Sequence, residues 1–265
     1  MGLFIWSTTP SKIFVWDTQI SKVFVWDTQV RPTSPTPTSQ YHIPTDTERT
    51  SIKTLMADMW VTTWSNYSEY LKIPICWNRS NDTTVQNTSS ASLWSSVSTT
   101  TGTSAKFIVL YLNSASISNK QRAYGLNVRC FANTPVTPDG TRTTMYQNSG
   151  KWVYWNSWLG IISITDWNTV ITIKDKNEWA TTVFNYWDTL TAANTWNTYQ
   201  RWNMYAFPST KDTTTTITTS STQVDTTGYG SGTWYSSSTF ITWNNDWSNP
   251  SNNNLWNWAP APTSI

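Results

Sequence analysis

Glycine is scarce in this chain, with nine residues among 265, whereas tryptophan is abundant, with twenty. Average chains contain about 7% glycine, so the usual balance between the two residues is inverted. Four tryptophans stand in turn-like sequences where a β-rich protein places glycine, namely Trp16, Trp26, Trp167 and Trp187. A bulky residue at positive φ is strained. A tryptophan at such a position therefore has either a strained backbone or a looser turn.

Two hypotheses explain this substitution pattern. The one that we favour is that many of these positions are UGA codons printed as tryptophan, in an organism that reads UGA as glycine. Some candidate-phylum bacteria use this code. The alternative is a genuinely tryptophan-rich protein that offers aromatic platforms to sugars. Under the first hypothesis, the aromatic richness carries no information about function.

Charged residues are also few, at 12% of the chain with a net charge of +2. This argues against a nucleic-acid partner, which would need a clustered basic face. No stretch approaches the roughly 18 apolar residues of a membrane helix, and the N-terminal sequence lacks the regions of a secretory signal. The composition, rich in Thr, Ser and Asn, is common among extracellular β proteins. We expect an extracellular or cell-surface protein without a transmembrane segment, exported by a signal outside this chain or by an unconventional route.

Cysteine and histidine are too few for most metal or catalytic sites. Cys76 and Cys130 are the two cysteines, and they permit one disulfide; two free buried thiols are the alternative. The single histidine, His42, cannot by itself form a metal site or a catalytic triad, so we expect it to be packed or on the surface. No Gly-rich phosphate loop, nucleophile elbow or metal-ligand cluster is present. The sequence thus predicts a protein that is not an enzyme and holds no metal or other cofactor.

Residues 3–32 contain three copies of a ten-residue unit, which begin LFIWST, IFVWDT and VFVWDT. Each unit has the pattern of a short strand, a turn and a polar return strand. One such unit cannot bury its apolar face alone. We therefore predict short β-hairpin repeats over residues 1–32, with a possible role in homo-oligomer formation. The Pro-, Thr- and Ser-rich residues 33–40 predict an extended linker.

The rest of the chain divides into a segment 41–134, a connection 135–149 and a segment 150–265. Thr45 and Glu48 have the spacing of a capping box. Apolar residues at helical spacing follow and predict the buried face of a helix: Ile52, Leu55, Met56 and Met59. Alternating or continuous apolar runs predict strands over 106–112 and 124–131 and a hairpin over 159–173. The predicted fold class is α+β, mostly β.

The first segment contains three motifs, at residues 41–48 (YHIPTDTE), 90–96 (SASLWSS) and 123–130 (AYGLNVRC). Together they resemble motifs of a known bacterial family, the Fibrobacter succinogenes major paralogous domain. Residues 41–48 (YHIPTDTE) are similar to its helix start, WHVPTDAEW. Residues 90–96 (SASLWSS) are similar to its YWSS segment, and residues 123–130 (AYGLNVRC) to its closing strand, YGFSVRC. The three motifs come in family order and match the C-terminal half of that domain.

Three motifs of the second segment resemble the N-terminal half of the same domain. Residues 173–182 (IKDKNEWATT) are similar to MDKNLGATT, residues 199–207 (YQRWNMYAF) to YQWGNNYGF and residues 254–258 (NLWNW) to NLWGG. The family's glycine falls on three tryptophans, as recoding predicts: Trp179, Trp202 and Trp258. Family tryptophans are matched by Trp94, Trp247 and Trp256.

The chain departs from the family in three ways. The halves occur in swapped order, so the chain is either a circular permutant or the end of one repeat joined to the start of the next. Arg49 and Arg201 stand where the family usually has tryptophan. The cysteine that normally precedes the His-Ile-Pro segment is absent, which leaves Cys76 as the substitute partner of Cys130. The resemblance implies a C-type-lectin-like fold, a surface-associated or secreted protein and no established catalysis.

Two weaker patterns bear on chemistry. Residues 243–246 (WNND) are similar to the Trp-Asn-Asp calcium element of true lectins. Calcium needs six or more oxygen ligands, so a surface turn is the simpler prediction. Asp175 and Glu178 could in principle do acid–base work, although a solvated strand end is the role that we expect.

Aromatic residues in the loop-rich part are the candidate ligand-binding residues: Tyr229, Trp234, Tyr235, Trp247 and Trp256. For Trp247 and Trp256, filling a small core under long loops is an equal alternative. We predict a noncatalytic adhesion or recognition protein that binds a glycan or a protein. The alternative is a structural fibre or phage-tail-like component whose N-terminal repeats oligomerise.

Overall fold

A computed structural model of the chain describes residues 41–74, 78–80, 85–86, 90–99, 102–111, 114–138, 142–166, 168–178, 180–195, 197–201, 203, 205–208, 215–227 and 236–251. All of these residues belong to one structural unit, Ser39–Ile265. The predicted repeats at 1–32 and the predicted linker at 33–40 lie outside the described residues, and both stay predictions.

Strands dominate the described residues. The helices are α1 (Asp46–Asp58), α2 (Trp64–Leu71) and α3 (Ala192–Thr195). The strands are β1 (Tyr41–His42), β2 (Asn78–Arg79), β3 (Val85–Gln86), β4 (Ala91–Ser98), β5 (Ser104–Leu110), β6 (Ala115–Gln121), β7 (Gly125–Leu126), β8 (Phe131–Ala132), β9 (Thr143–Asn148), β10 (Lys151–Asn156), β11 (Ile161–Thr165), β12 (Val170–Lys174), β13 (Tyr199–Gln200), β14 (Thr219–Ser220), β15 (Val224–Asp225), β16 (Phe240–Ile241) and β17 (Ser248–Asn249). The predicted class, α+β and mostly β, is confirmed.

Helix α1 begins where its sequence predicts. The Thr45 hydroxyl accepts a hydrogen bond from the Glu48 backbone N–H at 3.3 Å, and the Glu48 carboxylate accepts one from the Thr45 N–H at 2.8 Å. This capping box satisfies backbone donors that the first helical turn leaves unpaired. The four predicted apolar residues are all buried: Ile52, Leu55, Met56 and Met59. Helix α2, which the sequence analysis missed, is capped by the Thr63 hydroxyl, which accepts a hydrogen bond from the Asn66 N–H.

A six-stranded sheet joins the two predicted segments in the order β1-β8-β12-β11-β10-β9. The predicted hairpin is β11 and β12, which pair antiparallel with Ile162 opposite Ile173. Ile173 also lies opposite Phe131 of β8, which comes from the first segment. Residues of both segments are therefore hydrogen-bonded within one sheet.

The predicted connection at 135–149 is wrong for its second half, because residues 143–148 form strand β9. This strand pairs antiparallel with β10 across a two-residue turn. Ser149 and Gly150 occupy the turn with φ values of 51° and 71°. Two consecutive residues at positive φ are typical of a tight hairpin turn whose twist matches that of the flanking strands.

Strand β5 contributes to two hydrophobic cores. Its residues Ile108 and Leu110 pack with helix α1 and the six-stranded sheet, whereas Phe107 and Val109 pack with Trp94 and with residues near the C-terminal end of the chain. Successive side chains of a strand point to opposite faces, so a strand buried on both sides has a nearly continuous apolar sequence. This explains the apolar run that predicted a strand over 106–112.

The predicted strand over 124–131 is interrupted in the structure. Strands β7 and β8 are each two residues long, and the residues between them do not continue the regular strand pairing. The Asn127 side-chain amide donates to the carbonyl oxygens of Thr195 and Asn197 at 3.1 and 3.0 Å. Polar side chains that serve neighbouring loops thus replace regular strand pairing here.

The described residues from 215 onward, namely 215–227 and 236–251, form short elements joined by loops. Strand β14 pairs parallel with β16, and β15 pairs parallel with β17, each over two residues. The prediction of loop over 209–233 holds for most of its described part, and these pairs tie the loops to the core.

Candidate functional site

Trp247 is the one predicted ligand-binding residue that lies within the described residues, and it is completely buried. Its indole N–H donates a hydrogen bond to the Arg201 carbonyl oxygen. Trp94 is equally buried, and its indole N–H donates to the Tyr199 carbonyl at 2.7 Å. Buried tryptophans usually pair their N–H in this way. The structure therefore gives Trp247 the core-filling role, whereas Tyr229, Trp234, Tyr235 and Trp256 lie outside the described residues and stay predictions.

Four other tryptophans are almost fully exposed. Their relative exposures are 78% for Trp60, 93% for Trp158, 88% for Trp187 and 75% for Trp243. Among the described residues, Trp94 and Trp247 are thus buried and hydrogen-bonded and these four are exposed, while Trp152 and Trp155 are partly buried. Contiguous exposed apolar patches mark interaction sites or aggregation risks, whereas single exposed apolar side chains are ordinary. Nothing in the sequence analysis separated these two groups beyond the match of Trp94 and Trp247 to family tryptophans.

Two of the exposed tryptophans have a positive φ, in the left-handed backbone region that glycine usually occupies. Trp60 has a φ of 68° and Trp243 a φ of 60°. Trp60 follows α1 in a Schellman arrangement, with its N–H on the Ala57 carbonyl and the Val61 N–H on the Met56 carbonyl, both at 2.8 Å. Glycine is the usual residue at this left-handed position.

Trp187 lies in a looser turn, which the sequence analysis gave as the alternative to a strained backbone. The turn is closed by a 2.8 Å hydrogen bond from the Asp188 N–H to the Asn185 carbonyl. Trp187 is not among the described residues with positive φ. An ordinary turn of this kind accepts most residues, so the backbone at Trp187 does not require glycine. Trp16, Trp26 and Trp167 lie outside the described residues.

In the calcium-like element, residues 243–246, the carboxylate of Asp246 is already paired with other side chains of the protein. Asp246 is buried, and its carboxylate lies 3.3 Å from the Arg122 guanidinium and accepts a 2.6 Å hydrogen bond from the Ser251 hydroxyl. Burial raises the pKa of Asp246, and the nearby Arg122 opposes this only in part. The prediction of a simple surface turn is wrong at Asp246, because its carboxylate is a buried ion-pair partner.

The carboxylates of Asp175 and Glu178 are also buried, so the predicted solvated strand end is wrong. The Asp175 carboxylate accepts a 3.0 Å hydrogen bond from the Trp155 indole. The Glu178 carboxylate pairs with the Lys174 ammonium at 2.9 Å. Burial opposes the charge of Lys174, but Glu178 outweighs it and the pKa of Lys174 is raised. Each of the two carboxylates is therefore paired with a neighbouring side chain of the fold.

Cys130 is a free, fully buried thiol. Burial raises the pKa of this thiol, and the neighbouring Glu178 carboxylate raises it further. A protonated buried thiol is a poor nucleophile. Cys76 lies outside the described residues, so the disulfide between the two cysteines stays a prediction.

The two arginines at family tryptophan positions are both buried. Arg49 lies beside a cavity of about 30 Å³ whose lining is otherwise mainly apolar and includes Ile52, Tyr67 and Leu71. Its Nε and Nη2 atoms make no hydrogen bond to any described residue. Burial lowers the pKa of Arg49 to about 9. Burial also lowers the pKa of Arg201, and the positive charges of Arg122 and Arg49 lower it further.

The buried side-chain amide of Gln200 joins distant parts of the chain through hydrogen bonds. The sequence analysis did not identify this role. The Gln200 amide donates to the carbonyls of Ala123 and Ile241, each at 2.7 Å, and accepts from the Ile241 N–H at 3.0 Å. All three contacts join residues more than 40 positions apart in the chain. A single glutamine next to a tyrosine gives no local signal of such a role.

The described residues offer no grouping of three or more His, Cys, Asp or Glu side chains that could hold a metal ion. None of the described helices combines the length and apolar character that a bilayer crossing requires. Comparison of the chain with protein-family models, curated proteins and solved structures gave no match.

Proposed function

We propose that this chain is a noncatalytic surface or secreted protein of adhesion or recognition, which binds a glycan or a protein. The observation that carries the proposal is the division of its structural unit into a closely hydrogen-bonded scaffold and long loops. Described strands after residue 200 are only two residues long. Binding residues are often carried by loops that a rigid scaffold positions.

The interior charges support a noncatalytic role. Asp175, Glu178 and Asp246 are the buried carboxylates of the described residues, and each contacts a structural partner. A general acid or base needs to reach a substrate proton. Carboxylates held by Trp155, Lys174 and Arg122 serve the fold instead.

The test is a glycan array and a protein-capture screen with the full chain, followed by Tyr229→Ala and Tyr235→Ala. Tyrosine is unaffected by the codon question, so these variants report on the loops alone. Removing a central aromatic contact costs more than about 1 kcal/mol of binding. Tyr111→Ala, at an exposed position outside these loops, is the matched control. Absence of any ligand contradicts the function, whereas binding that both loop variants retain moves the site elsewhere.

The alternative function, a fibre component, has one observation in its favour. Residues 3–32 carry three copies of a ten-residue unit, and one such unit cannot bury its apolar face alone. We expect concentration-dependent assembly, measured by sedimentation velocity, that is lost when residues 1–32 are deleted. A chain that stays monomeric with the repeats present contradicts the fibre.

We also propose that the structural unit is C-type-lectin-like and related to the Fibrobacter paralogous domain, with its halves in swapped order. The pairing of β8 with β12, and of β7 with β13, supports this because each pair joins the two segments. A rearranged chain, with residues 150–265 placed before 41–134, is expected to fold with the same near-ultraviolet circular dichroism. A rearranged chain that fails to fold contradicts the permutation.

The recoding hypothesis stands as a third proposal, and the left-handed backbone of Trp60 and Trp243 supports it. Intact mass and peptide mapping of the protein from its native source provide the test. Glycine at positions 60 and 243, with tryptophan at 94 and 247, is the expected result. Tryptophan at all four positions would contradict recoding and make the exposed indoles candidate sugar platforms.

A further inference from the structure

The single histidine makes two short polar contacts. His42 Nε2 lies 2.7 Å from Oε1 of Glu48, and His42 Nδ1 lies 2.6 Å from Oδ1 of Asn133. A neutral imidazole can donate from one ring nitrogen only. An ionised carboxylate has no proton to donate, and the Asn133 atom that faces the ring is an acceptor. With the Asn133 amide oriented so that its Oδ1 faces the ring, the two contacts together match a doubly protonated imidazolium.

These contacts join three elements of the fold. His42 is in β1, Glu48 is in the first turn of α1 and Asn133 follows β8. Strand β1 is short and lies at the edge of its sheet, with Tyr41 opposite Ala132 and His42 opposite Phe131. Two residue pairs alone give little stability. The side chain of His42 adds two polar contacts to these residue pairs.

The same carboxylate also caps the helix. Glu48 Oε2 accepts hydrogen bonds from the Thr45 N–H and from the Thr45 hydroxyl, each at 2.8 Å. One oxygen of Glu48 thus faces His42 and the other faces the N-cap. A loss of charge on His42 weakens a pair whose carboxylate orders the start of α1.

We propose that His42, Glu48 and Asn133 form a pH-dependent clasp, which fixes strand β1 to the domain while His42 is protonated and loosens it when His42 loses its proton. Strand β1 comes directly after the predicted linker in the sequence. This inference concerns the scaffold and does not depend on the proposed ligand.

The charged groups around the clasp favour this direction. On α1, Glu48 faces the ring, while Asp46 accepts a hydrogen bond from Ser95. From the β8 side the ring meets neutral groups, Asn133 and the Phe131 ring at 6.4 Å.

The ammonium of Lys174, on β12, lies over the ring of the neighbouring Tyr41 and pairs with Glu178. The hydrogen bond to Glu48 raises the pKa of His42, and burial opposes this only in part.

The sign of the effect follows from this shift. A folded-state pKa above the unfolded value means that the stabilisation is complete below about pH 6.5 and is lost as pH rises through the folded pKa. For Glu48, burial raises the pKa, but the hydrogen bonds from His42 and Thr45 outweigh it and the pKa is lowered. The clasp therefore persists to acidic pH, until Glu48 itself is protonated.

The first test is an NMR titration of the full chain, in which His42 gives the only histidine signal. We expect its pKa to lie above the ordinary value of about 6.5 and to fall in Glu48→Gln, which can still cap the helix. Asp58→Asn is the matched control, because it removes a carboxylate from the last residue of the same helix, next to Lys151. A pKa at or below the ordinary value in the unsubstituted chain would overturn the proposal.

The second test follows strand β1 directly. Hydrogen exchange of the β1 amides, corrected for intrinsic rates, is expected to speed up as pH rises through the His42 pKa, while amides of β5 stay protected. In His42→Gln this pH dependence should vanish. Identical pH profiles in the unsubstituted chain and in His42→Gln would refute the clasp, even if the NMR pKa is raised.

Discussion

At the scale of single residues, backbone conformation and burial show whether each residue type suits its position in the fold. Trp94 and Trp247 are buried with their indole N–H groups paired. Trp60 and Trp243 are exposed and carry a left-handed backbone. Arg129 makes hydrogen bonds with all of its guanidinium nitrogens, whereas Arg49 does not. The same residue type is thus well placed at one position and poorly placed at another.

We predict that Trp60→Gly stabilises the protein. A left-handed conformation costs a non-glycine residue about 1–2 kcal/mol, and the exposed Trp60 indole loses little packing when it is removed. Urea unfolding should show an increase of about 1 kcal/mol. Trp158→Gly is the matched control, because Trp158 is as exposed but is not among the described residues with positive φ. There glycine should destabilise by about 0.4–1 kcal/mol, because it increases the conformational freedom of the unfolded chain. Equal effects of the two substitutions would contradict the explanation.

We predict that Arg49→Met also stabilises the protein. Leaving buried donors without partners costs about 1–3 kcal/mol, and methionine adapts its shape to an irregular apolar site. The free energy of unfolding should rise by about that range. Arg129→Met is the contrasting variant, because Arg129 donates to the carbonyls of Leu71, Lys72 and Lys174. Its removal leaves these carbonyls without their donor and should cost about 1–3 kcal/mol, and a loss of stability in Arg49→Met would show that the Arg49 charge is needed.

At the scale of elements, local signals in the sequence predicted the pieces whose stability is local. The capping box and the apolar spacing predicted α1, and alternation around a turn predicted the hairpin of β11 and β12. Helix α2 was missed because its eight residues include no long apolar pattern. Strand β9 was missed because Pro135 and Gly140 suggested a connection, while the Ser149–Gly150 turn that pairs it with β10 went unrecognised.

We predict that Thr45→Ala destabilises the protein by about 1 kcal/mol, the usual cost of losing an N-cap side chain. The hydroxyl serves the Glu48 N–H and also contacts the Glu48 carboxylate. Thr47→Ala, one residue into the same turn and exposed, should stay within about 0.5 kcal/mol of the unsubstituted protein. Chemical unfolding followed by circular dichroism measures both, and equal losses would argue against the cap.

At the scale of the whole molecule, the two segments that the sequence separated share their interior. The first core combines α1 and β5 with Val153, Ile162 and Ile173. The second combines Trp94 and Val109 with residues from the C-terminal third, including Tyr199 and Ile241. Neither segment can bury these faces alone, so the two should unfold together.

We predict a single cooperative unfolding transition for residues 39–265. In Ile173→Ala, the free energy of unfolding should fall by about 2–5 kcal/mol. Ile173 is buried and lies opposite both Phe131 and Ile162, so it links the two segments. Val136→Ala, at an exposed position, should change stability by less than about 0.5 kcal/mol. Two separate transitions in calorimetry, with only one shifted by Ile173→Ala, would show that the segments fold independently.

The candidate site was predictable only in part. Low charge and the lack of metal-ligand spacing could be read directly from the sequence, and so could a core role for Trp247 as one of two alternatives. The burial of Asp175 and Glu178 could not be read, because a carboxylate at a strand end is usually solvated. Their partners, Trp155 and Lys174, are placed beside them by the sheet.

The sequence by itself determined the class of the fold, the start of α1 and the hairpin of the second segment, since these depend on residues within a few positions of one another. Only the tertiary structure decided which tryptophans are buried, which arginines have partners and where the carboxylates lie. It also decided that the two segments are one unit and that His42 faces Asn133, 91 residues further along the chain. Such contacts depend on how sheets and loops meet in space, and no local pattern encodes that meeting.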